Sequence, residues 1–442
     1  MKRVVSAFAI IMVLILCFVF VGCTLDLDDG IDDSPYELPK DGIITSAGQL
    51  HAVLNEGDPN ADYVVKAAEI NMSGKQWSGL LNYSGTFDFG GCRIKNASDS
   101  FFQSVTGGTV KNLVLSDSSF VYTNEQASED VNVKNGEIGN IYYSPIVRYA
   151  TNVNISNVTI ESSVTIFAQI FAEKAFVGAV LGLAEGDSIR VENCSFHGKI
   201  ENDSGNVVIA GFGAIAGGVM APDQTSLSVN NNASSKALVI GCQNTGSITN
   251  VGDPKDVKMG GVVGKICNGA IVACSNTGTI SAKRGTLAGG IVGYLEKAAA
   301  VSKCINSGKI TGEGSCVGGI VAYSNGFERW ITSCVNLGKL TSSSDGFNVC
   351  VGGIIGLAKG NEVITNCYNL ASATPAFAYS YAEKHTLVDL TDPDTFINQS
   401  DRKLTVTNCG NLATVDEVFD KINSAEPNLF IKANGSIELN VN

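Results

Sequence analysis

Hydrophobic residues recur along the chain in short blocks that open on two glycines. Each block has a Gly-Gly-apolar strand, then an apolar strand ending in Cys-x-Asn-x-Gly, then a short strand of Ile or Leu. Four successive blocks read GGVVGKICNGAIVACSNTGTI from Gly260, GGIVGYLEKAAAVSKCINSGKI from Gly289, GGIVAYSNGFERWITSCVNLGKL from Gly318 and GGIIGLAKGNEVITNCYNL from Gly352. A period of about thirty residues with two or three short strands per unit is typical of a solenoid. The pattern predicts an all-β chain, a right-handed parallel β-helix of about nine coils with short helical caps.

One position of the repeat, the cysteine slot, predicts how the core is built. The slot holds Cys194, Cys242, Cys274, Cys304, Cys334, Cys367 and Cys409, and Leu113 and Val158 occupy it in earlier coils. Residues two apart in a strand share a face. The next inward position therefore reads Leu115, Ile160, Phe196, Asn244, Asn276, Asn306, Asn336, Asn369 and Asn411. If the coils stack in register, each Asn amide can donate to the carbonyl of the Asn one coil below, which satisfies a buried polar group.

Both ends of the repeat array carry helix signals. Ser46-Ala47-Gly48-Gln49 has capping-box spacing and opens an amphipathic stretch, and Val415 to Ile422 reads as a second helix followed by two strands. We expect the first helix to cover the open edge of the first coil and the last segment to close the other end. The predicted divisions are residues 42–100 for the N-terminal cap and first coil, 101–412 for the solenoid and 413–442 for the C-terminal cap.

The first 22 residues have the layout of a secretory signal: Lys2 and Arg3, an apolar run, and a small residue before Cys23. A retained transmembrane helix is the alternative. The string Phe20-Val21-Gly22-Cys23 resembles the bacterial lipobox, which implies lipidation of Cys23 and a protein exported and lipid-anchored to a bacterial membrane, the outer membrane or cell surface. Residues 23–41 are acidic and are predicted to be a solvated tether.

Charge limits the partners of the protein. The formal net charge is −13, and the chain has 30 Lys and Arg against 43 Asp and Glu. Nucleic acid and anionic lipid surfaces both select for clustered Lys and Arg. We therefore expect no nucleic-acid partner, and membrane contact only through the lipid on Cys23.

The strings GVVG, GIVG, GIVA and GIIG, each followed by Cys-x-Asn-x-Gly or a degenerate form of it, resemble the GLUG-motif repeats of bacterial surface proteins. The likeness is densest over residues 178–371. The resemblance implies a parallel β-helix on an exported protein, and such repeats form non-catalytic portions of some bacterial immunoglobulin A proteases. It implies no particular ligand.

The cysteines favour packing over redox or metal chemistry. Of 13 Cys, one leaves with the signal and Cys23 is the lipidation site, so an odd number remains, without a Cys-x-x-Cys motif. We expect buried thiols acting as small apolar groups, with no metal and no cofactor. Cys316 and Cys350, each two residues before a Gly-Gly pair, are predicted to form a second short stack.

Catalytic groups are missing from the rows that can be aligned. The outward position after the cysteine slot carries no carboxylate pair and no histidine in any coil, and the same is true of the position before the slot. The three histidines, His51, His197 and His385, form no zinc motif. Tyr294 and Tyr323 occupy one slot of adjacent repeats and are expected to stack, facing either solvent or core.

Three insertions interrupt the period, and the last of them, residues 372–402, is the candidate ligand loop. Insertions in a solenoid often map to a binding face. This one combines aromatic and acidic groups able to hold calcium or a sugar, although an ordinary solvated loop is the alternative. Its candidate residues are Tyr379, Tyr381, His385, Asp389, Asp392 and Asp394.

These features predict a membrane-anchored, surface-exposed lipoprotein that acts without catalysis, in binding, adhesion or scaffolding. A glycan or a host or extracellular protein is the expected partner. The alternative is a carbohydrate-active β-helix enzyme, a polysaccharide lyase or glycoside hydrolase. A cluster of Asp, Lys or Arg on adjacent coils inside one groove would favour the enzyme.

Overall fold

The computed structural model is a stack of parallel β-coils, which confirms the predicted all-β solenoid. Every strand pairs in parallel with strands one coil away, apart from one antiparallel hairpin near the C-terminus. The structure describes residues 34–123, 140–170, 172, 174–204, 209–222, 236–252, 257–283, 285–313, 315–343, 350–370, 379–380, 405–433 and 435–440.

One coil contains five strand segments, which we name walls one to five. In the coil that begins at residue 257 they are Val257–Gly260, Val263–Cys267, Ala270–Val272, Ser275–Asn276 and Thr279–Ala282. Each wall is one parallel ladder along the axis, because each segment pairs with its counterpart in the next coil.

The other strands fall into the same ladders. Wall one contains Asn140–Tyr143, Lys174–Gly178, Ile209–Gly213, Thr286–Gly289, Cys316–Gly318 and Cys350–Gly352. Wall two contains Phe102–Thr106, Ala216–Met220, Val292–Glu296 and Tyr379–Ser380. Longer strands that cross corners between walls two, three and four are Thr109–Ser116, Val147–Ile160, Leu181–Glu192, Val321–Thr332 and Ile355–Thr365.

Walls three to five complete the coil. Wall three contains Ile43–Ile44, Tyr63–Val65, Thr86–Asp88, Ala237–Ile240, Ala300–Ser302 and Thr405–Thr407. Wall four contains Glu69–Asn71, Arg93–Lys95, Ser195–Phe196, Gln243–Asn244, Ile305–Asn306, Val335–Asn336, Tyr368–Leu370 and Gly410–Leu412. Wall five contains Ser119–Thr123, Thr165–Gln169, Lys199–Asn202, Ser247–Asn250, Ile310–Glu313 and Leu340–Ser343.

The inward column of wall four is longer than the visible repeat. Ile70 pairs with Ile94, and Ile94 pairs with Leu115, so two rungs precede the first one that the sequence reveals. Cys92, fully buried, occupies the cysteine slot of the second of these coils. The described residues therefore form eleven rungs on wall four rather than about nine.

Helix α1, Ala47–Glu56, covers the beginning of the array. Ser46 caps it by accepting from the N–H of Gln49 at 3.3 Å, but the Gln49 side chain reaches back to the N–H of Thr45 at 2.9 Å instead of that of Ser46. The hydroxyl of Ser34 accepts from the N–H of Gly48 at 2.6 Å. The end of the predicted tether therefore packs on this helix and is not wholly solvated.

The C-terminal segment lies along the side of the array, which corrects its prediction as a closing cap. Helix α2, Val415–Ala425, begins with a capping box between Thr414 and Glu417. Eleven residues span about 16 Å, or roughly three coils at about 4.8 Å each. The carboxylate of Glu426 accordingly reaches back to Lys303 at 3.2 Å and Ser333 at 2.9 Å.

An outward apolar strip lies beneath α2 and explains its position. Ile305, Val335 and Tyr368 sit on the outward face of wall four and are buried with Val418 and Ile422 of the helix. The same row carries polar residues in the four coils before Ile305, from Thr159 to Ser275. A final hairpin of Phe430–Ala433 and Ser436–Leu439 completes this cluster.

The position before the cysteine slot is a turn rather than a chemical surface. From Asn112 onward, the nine residues there all have left-handed backbone, with φ between +50° and +64°. Asn and Gly tolerate this conformation best among common residues. The nine are Asn112, Asn157, Asn193, Gly241, Ala273, Lys303, Ser333, Asn366 and Asn408.

Candidate functional site

The asparagine column forms a continuous chain of side-chain hydrogen bonds. Each Nδ2 donates to the Oδ1 of the next rung at 2.7 to 2.8 Å, from Asn244 to Asn411. The four central rungs, Asn276 to Asn369, are completely buried. The amide of Asn306 also donates to the carbonyl of Gly308 and its oxygen accepts from the N–H of Gly308.

The direction of donation is opposite to the expected one. Each amide donates to the coil above, not to the coil below. The bonds to Gly308 fix which end of the Asn306 amide is oxygen and which is nitrogen. The backbone of Gly308, in the turn after Asn306, therefore sets the direction in which the Asn306 amide donates.

The thiols of the cysteine slot line the same core. Cys242 and Cys274 are buried and unpaired by disulfides, and the N–H of each lies 3.4 Å from the sulfur of the next slot cysteine. Burial raises the pKa of Cys274 and Cys304. Buried thiols are out of reach of metal ions and of electrophiles in solution, so this column is suited to packing. Cys316 and Cys350 form the second pair, in register on wall one.

Tyr294 and Tyr323 stack on the outward face of wall two, with ring centroids 5.1 Å apart and planes 11° apart. The ammonium groups of Lys258 and Lys265 lie 5.7 and 5.3 Å from the centroid of Tyr294. Burial raises the pKa of Tyr294 to about 12. The register places Lys265 before the tyrosine pair and Leu357 after it.

The contact of Tyr294 and Tyr323 with Lys258 and Lys265 holds walls one and two together and is not a binding surface. The outward-facing side chains of walls one and two face each other across a concave corner. The stacked rings of Tyr142, on wall one, and Tyr149, on wall two, show the same arrangement, with their centroids 5.2 Å apart. Gly293 lets the two walls approach, since a Cβ there would lie 2.7 Å from the backbone nitrogen of Met259. The ring faces are thus occupied by neighbours along the stack and are not open to a ligand.

Charged residues on adjacent coils occur near the N-terminal end of walls three and four. Lys111 pairs with Asp88 at 3.3 Å, Lys95 pairs with Glu69 at 2.9 Å, and Arg93 pairs with Glu161. Burial opposes ionisation of Asp88, but hydrogen bonds from Asn112 and the N–H of Gly90, with the charge of Lys111, lower its pKa overall. A carboxylate held ionised in this way is unsuited to general acid catalysis.

A second ionic feature is buried in the core. The guanidinium of Arg329 lies 3.0 Å from the carboxylate of Glu362 in the next coil, and both are shielded from solvent. Burial raises the pKa of Glu362, and the charge of Arg329 opposes that rise. Because Arg329 shares the inward face with Ile331, this pair belongs to the core.

The pocket of interest lies where the N-terminal cap meets the first described strand of wall five. Its volume is about 690 Å³, within the range of about 300 to 1,000 Å³ of small-molecule sites. We name it the cap pocket. Two amides, three hydroxyls, one carboxylate and two apolar side chains line it: Asn55, Gln76, Ser78, Ser98, Ser119, Asp99, Trp77 and Val121.

Sequence reasoning missed the cap pocket. Its lining comes from the end of α1, from turns between early coils and from wall five, so no local motif joins these residues. The repeat is also weakest in this region. The one available sequence signal was Val121, an apolar residue at an outward position of an alternating strand, whose side chain is 51 % accessible.

The candidate ligand loop falls largely outside the described residues. Tyr381, His385, Asp389, Asp392 and Asp394 lie there, as does Cys23. The backbone of Tyr379 pairs with Leu357 and so extends the wall-two row of Tyr294 and Tyr323. His197 lies on the surface, 2.6 Å from the hydroxyl of Thr245.

The described ranges contain neither a metal-ligand cluster nor a helix fit to cross a membrane. No set of three or more His, Cys, Asp or Glu residues is grouped there for metal binding. From Ser34 onward, none of the described helices combines the length and apolar character needed to cross a membrane.

Comparison with known proteins adds little about activity. No family model matches the chain, and neither does any curated protein. A solved structure named a "putative immunoglobulin A1 protease from Bacteroides ovatus" is similar to 90% of this chain and 91% of its own, with 17% sequence identity and a TM-score of 0.39. The identity and TM-score are too low to support an argument about function.

Proposed function

We propose that this protein is an exported, lipid-anchored β-solenoid of the bacterial surface that binds extracellular ligands without catalysis, as an adhesin or scaffold. The cap pocket carries this proposal. It offers amides, hydroxyls and one carboxylate, Asp99, at a concave surface. Such polar groups suit recognition of a ligand. Acid–base catalysis usually needs two titratable groups whose surroundings give them different pKa values.

The resemblance to GLUG-motif repeats supports an exported protein with no assigned chemistry. The signal layout and the Gly22-Cys23 junction support anchoring through a lipid on Cys23. The cap pocket lies at the N-terminal end of the solenoid, the end that this lipid would hold near the membrane.

The competing function is a carbohydrate-active enzyme, and the charged patch around Asp88 is the observation in its favour. Its acids are tied into ion pairs, however, and the pKa of Asp88 is lowered. An uronate lyase would need a free base and a cationic site close to it. The patch therefore supports the enzyme less well than the cap pocket supports recognition.

The anchor is tested by Cys23→Ala. The wild-type chain should incorporate radiolabelled palmitate and partition into the detergent-soluble membrane fraction, and the variant should lose both properties. Retention of the variant in the membrane would support an uncleaved helix instead.

The recognition function is tested with the full lipoprotein in detergent. Glycan and host-matrix arrays should show saturable binding, and a reducing-end assay with an ultraviolet assay for unsaturated uronates should show no turnover. Turnover of any polysaccharide, abolished by Asp88→Asn, would replace the binding proposal with the enzyme.

A further inference from the structure

We infer that the cap pocket binds the neutral end of a saccharide chain, an inference that rests on the proposed binding function and names its ligand class. The pocket presents a mixture of donors and acceptors around an apolar floor. Saccharides offer the matching surface, with hydroxyls at the rim of each ring and C–H groups on its faces.

The floor and one wall of the pocket are rigid. Trp77 is only 5 % exposed, and its indole N–H donates to the carbonyl of Ser100 at 2.9 Å. The Oδ1 of Asn55 accepts from the N–H of Ser78 at 2.9 Å, and its Nδ2 donates to the carbonyl of His51 at 3.1 Å. Preformed walls reduce the ordering cost of binding.

The rim carries groups that can meet sugar hydroxyls. The hydroxyl of Ser119 accepts from Thr165 at 3.1 Å, so its own proton is available for donation. The carboxylate of Asp99 accepts from Ser98 at 3.1 Å through one oxygen, and a carboxylate has further acceptor sites. The side chain of Gln76, on an exposed residue, adds two donors and an acceptor.

Charge selects among saccharides. Asp99 is the ionisable group among the eight lining residues, and the whole chain is acidic. Uronates and sulfated sugars would meet a carboxylate with no cation in the lining to offset it. Neutral sugars meet no such repulsion from Asp99.

Wall five gives a longer chain a path out of the pocket. Val121 at the pocket pairs in register with Phe167 on the next coil, and both side chains face outward. A saccharide leaving the pocket along the axis therefore meets the partly exposed ring of Phe167. Oligosaccharides should consequently bind more tightly than monosaccharides.

The test uses the full lipoprotein in detergent with four probes: cellohexaose, mannohexaose, xylohexaose and hexagalacturonate. Saturation-transfer NMR detects contact, and titration calorimetry gives affinity. We expect at least one neutral hexasaccharide to bind, and Gln76→Ala and Asp99→Ala each to weaken it at least tenfold. Ser119→Phe, which places a bulky ring in the pocket lining, should abolish binding.

Thr341→Ala is the matched control, because Thr341 lies on the same outward wall-five row as Val121, six coils away. It should bind like wild type, and a thermal melt of each variant verifies folding. A preference for hexagalacturonate, or neutral binding that survives Ser119→Phe, overturns the inference while the binding function stands. Failure of all four probes, with host-matrix binding retained, also overturns it. Failure of every array ligand would overturn the proposed function itself.

Discussion

The inward column of wall four is apolar in its first half, through Leu115, Ile160 and Phe196, and polar from Asn244 onward. Both halves keep the same register and the same turn before the cysteine slot. The apolar rungs Ile70, Ile94, Leu115, Ile160 and Phe196 are separated by 24, 21, 45 and 36 residues. The Asn rungs from Asn244 to Asn411 are separated by 32, 30, 30, 33 and 42 residues.

The difference reflects how directional each kind of stacking is. Apolar side chains pack without fixed donor or acceptor geometry, so residues as different as Leu and Phe follow each other. A buried amide must find its partner in every coil, since an unsatisfied one costs about 1 to 3 kcal/mol. The constant wall-four register provides that repeated geometry, and the 42-residue step from Asn369 to Asn411 keeps it as well as the shorter steps do.

The largest expected contrast concerns thiol reactivity along the column. Cys409, at the last rung, is half-buried, and a hydrogen bond from Cys367 lowers its pKa. Cys304 is fully buried, and burial raises its pKa. At pH 8 iodoacetamide should therefore label Cys409 about a thousandfold faster than Cys304, which waits for the coil to open.

Peptide mass mapping of the native and urea-unfolded protein measures these rates. The unfolded chain should label at all slot cysteines, and lowering the pH should slow Cys304 before Cys409. Equal native rates, or four or more disulfides by mass, would contradict a buried thiol column.

Ile160→Asn places one amide into the apolar half. Its neighbours are Leu115 and Phe196, which offer no hydrogen-bond partner, and the buried Ile side chain is lost. Together these should cost about 3 to 6 kcal/mol. Urea unfolding followed by circular dichroism measures it.

The control for Ile160→Asn is Thr165→Asn, on the exposed face of wall five in the same coil. Its cost should lie within about 0.5 kcal/mol. A loss below about 1 kcal/mol for Ile160→Asn would mean that this half accepts polar rungs as readily as the other.

Asn306→Ala breaks the ladder in the polar half. Asn276 loses its acceptor and Asn336 loses its donor, so the free energy of unfolding should fall by about 2 to 4 kcal/mol. Since coils couple mainly to neighbours, hydrogen exchange should weaken locally around residues 276–340.

Thr311→Ala, exposed on the same coil, is the matched control. Equal small effects at Asn306 and Thr311 would contradict a stabilising ladder.

The smallest expected effect is at the turn before the slot. The apolar half uses Asn112, Asn157 and Asn193 there, whereas Ala273 in the polar half holds φ at +50°. Left-handed backbone costs a residue with a Cβ about 1 to 2 kcal/mol. Ala273→Gly should therefore raise the free energy of unfolding by about 0.5 to 1 kcal/mol.

Ala270→Gly, three residues earlier in a wall-three strand, is the control and should destabilise by about 0.5 to 1 kcal/mol. Thermal melts of both variants measure these changes in stability. If the Ala273→Gly protein were less stable than wild type, side-chain packing would outweigh backbone strain at this turn.

Much of the solenoid follows from sequence because its periodicity is dense where coils are short. The spacing of Cys274, Cys304 and Cys334 defines the register, and alternation then places Asn276, Asn306 and Asn336 inside. The sequence predicted one coil before residue 101 where the structure has two rungs, Ile70 and Ile94, because their spacings of 24 and 21 residues fall well short of the repeat of about thirty.

The coil register, the interior columns and the two helices could be predicted from the sequence, because each depends on residues close together in one repeat. Three outcomes became visible only in the folded chain: α2 lies along the side of the rod, Tyr294 faces outward, and Asn55, Trp77 and Asp99 share a pocket. Those outcomes depend on contacts between distant segments, where corner angles and the direction of a helix after the last strand set the geometry. No local pattern of polarity encodes these angles, so sequence reasoning ends where the coils meet their caps.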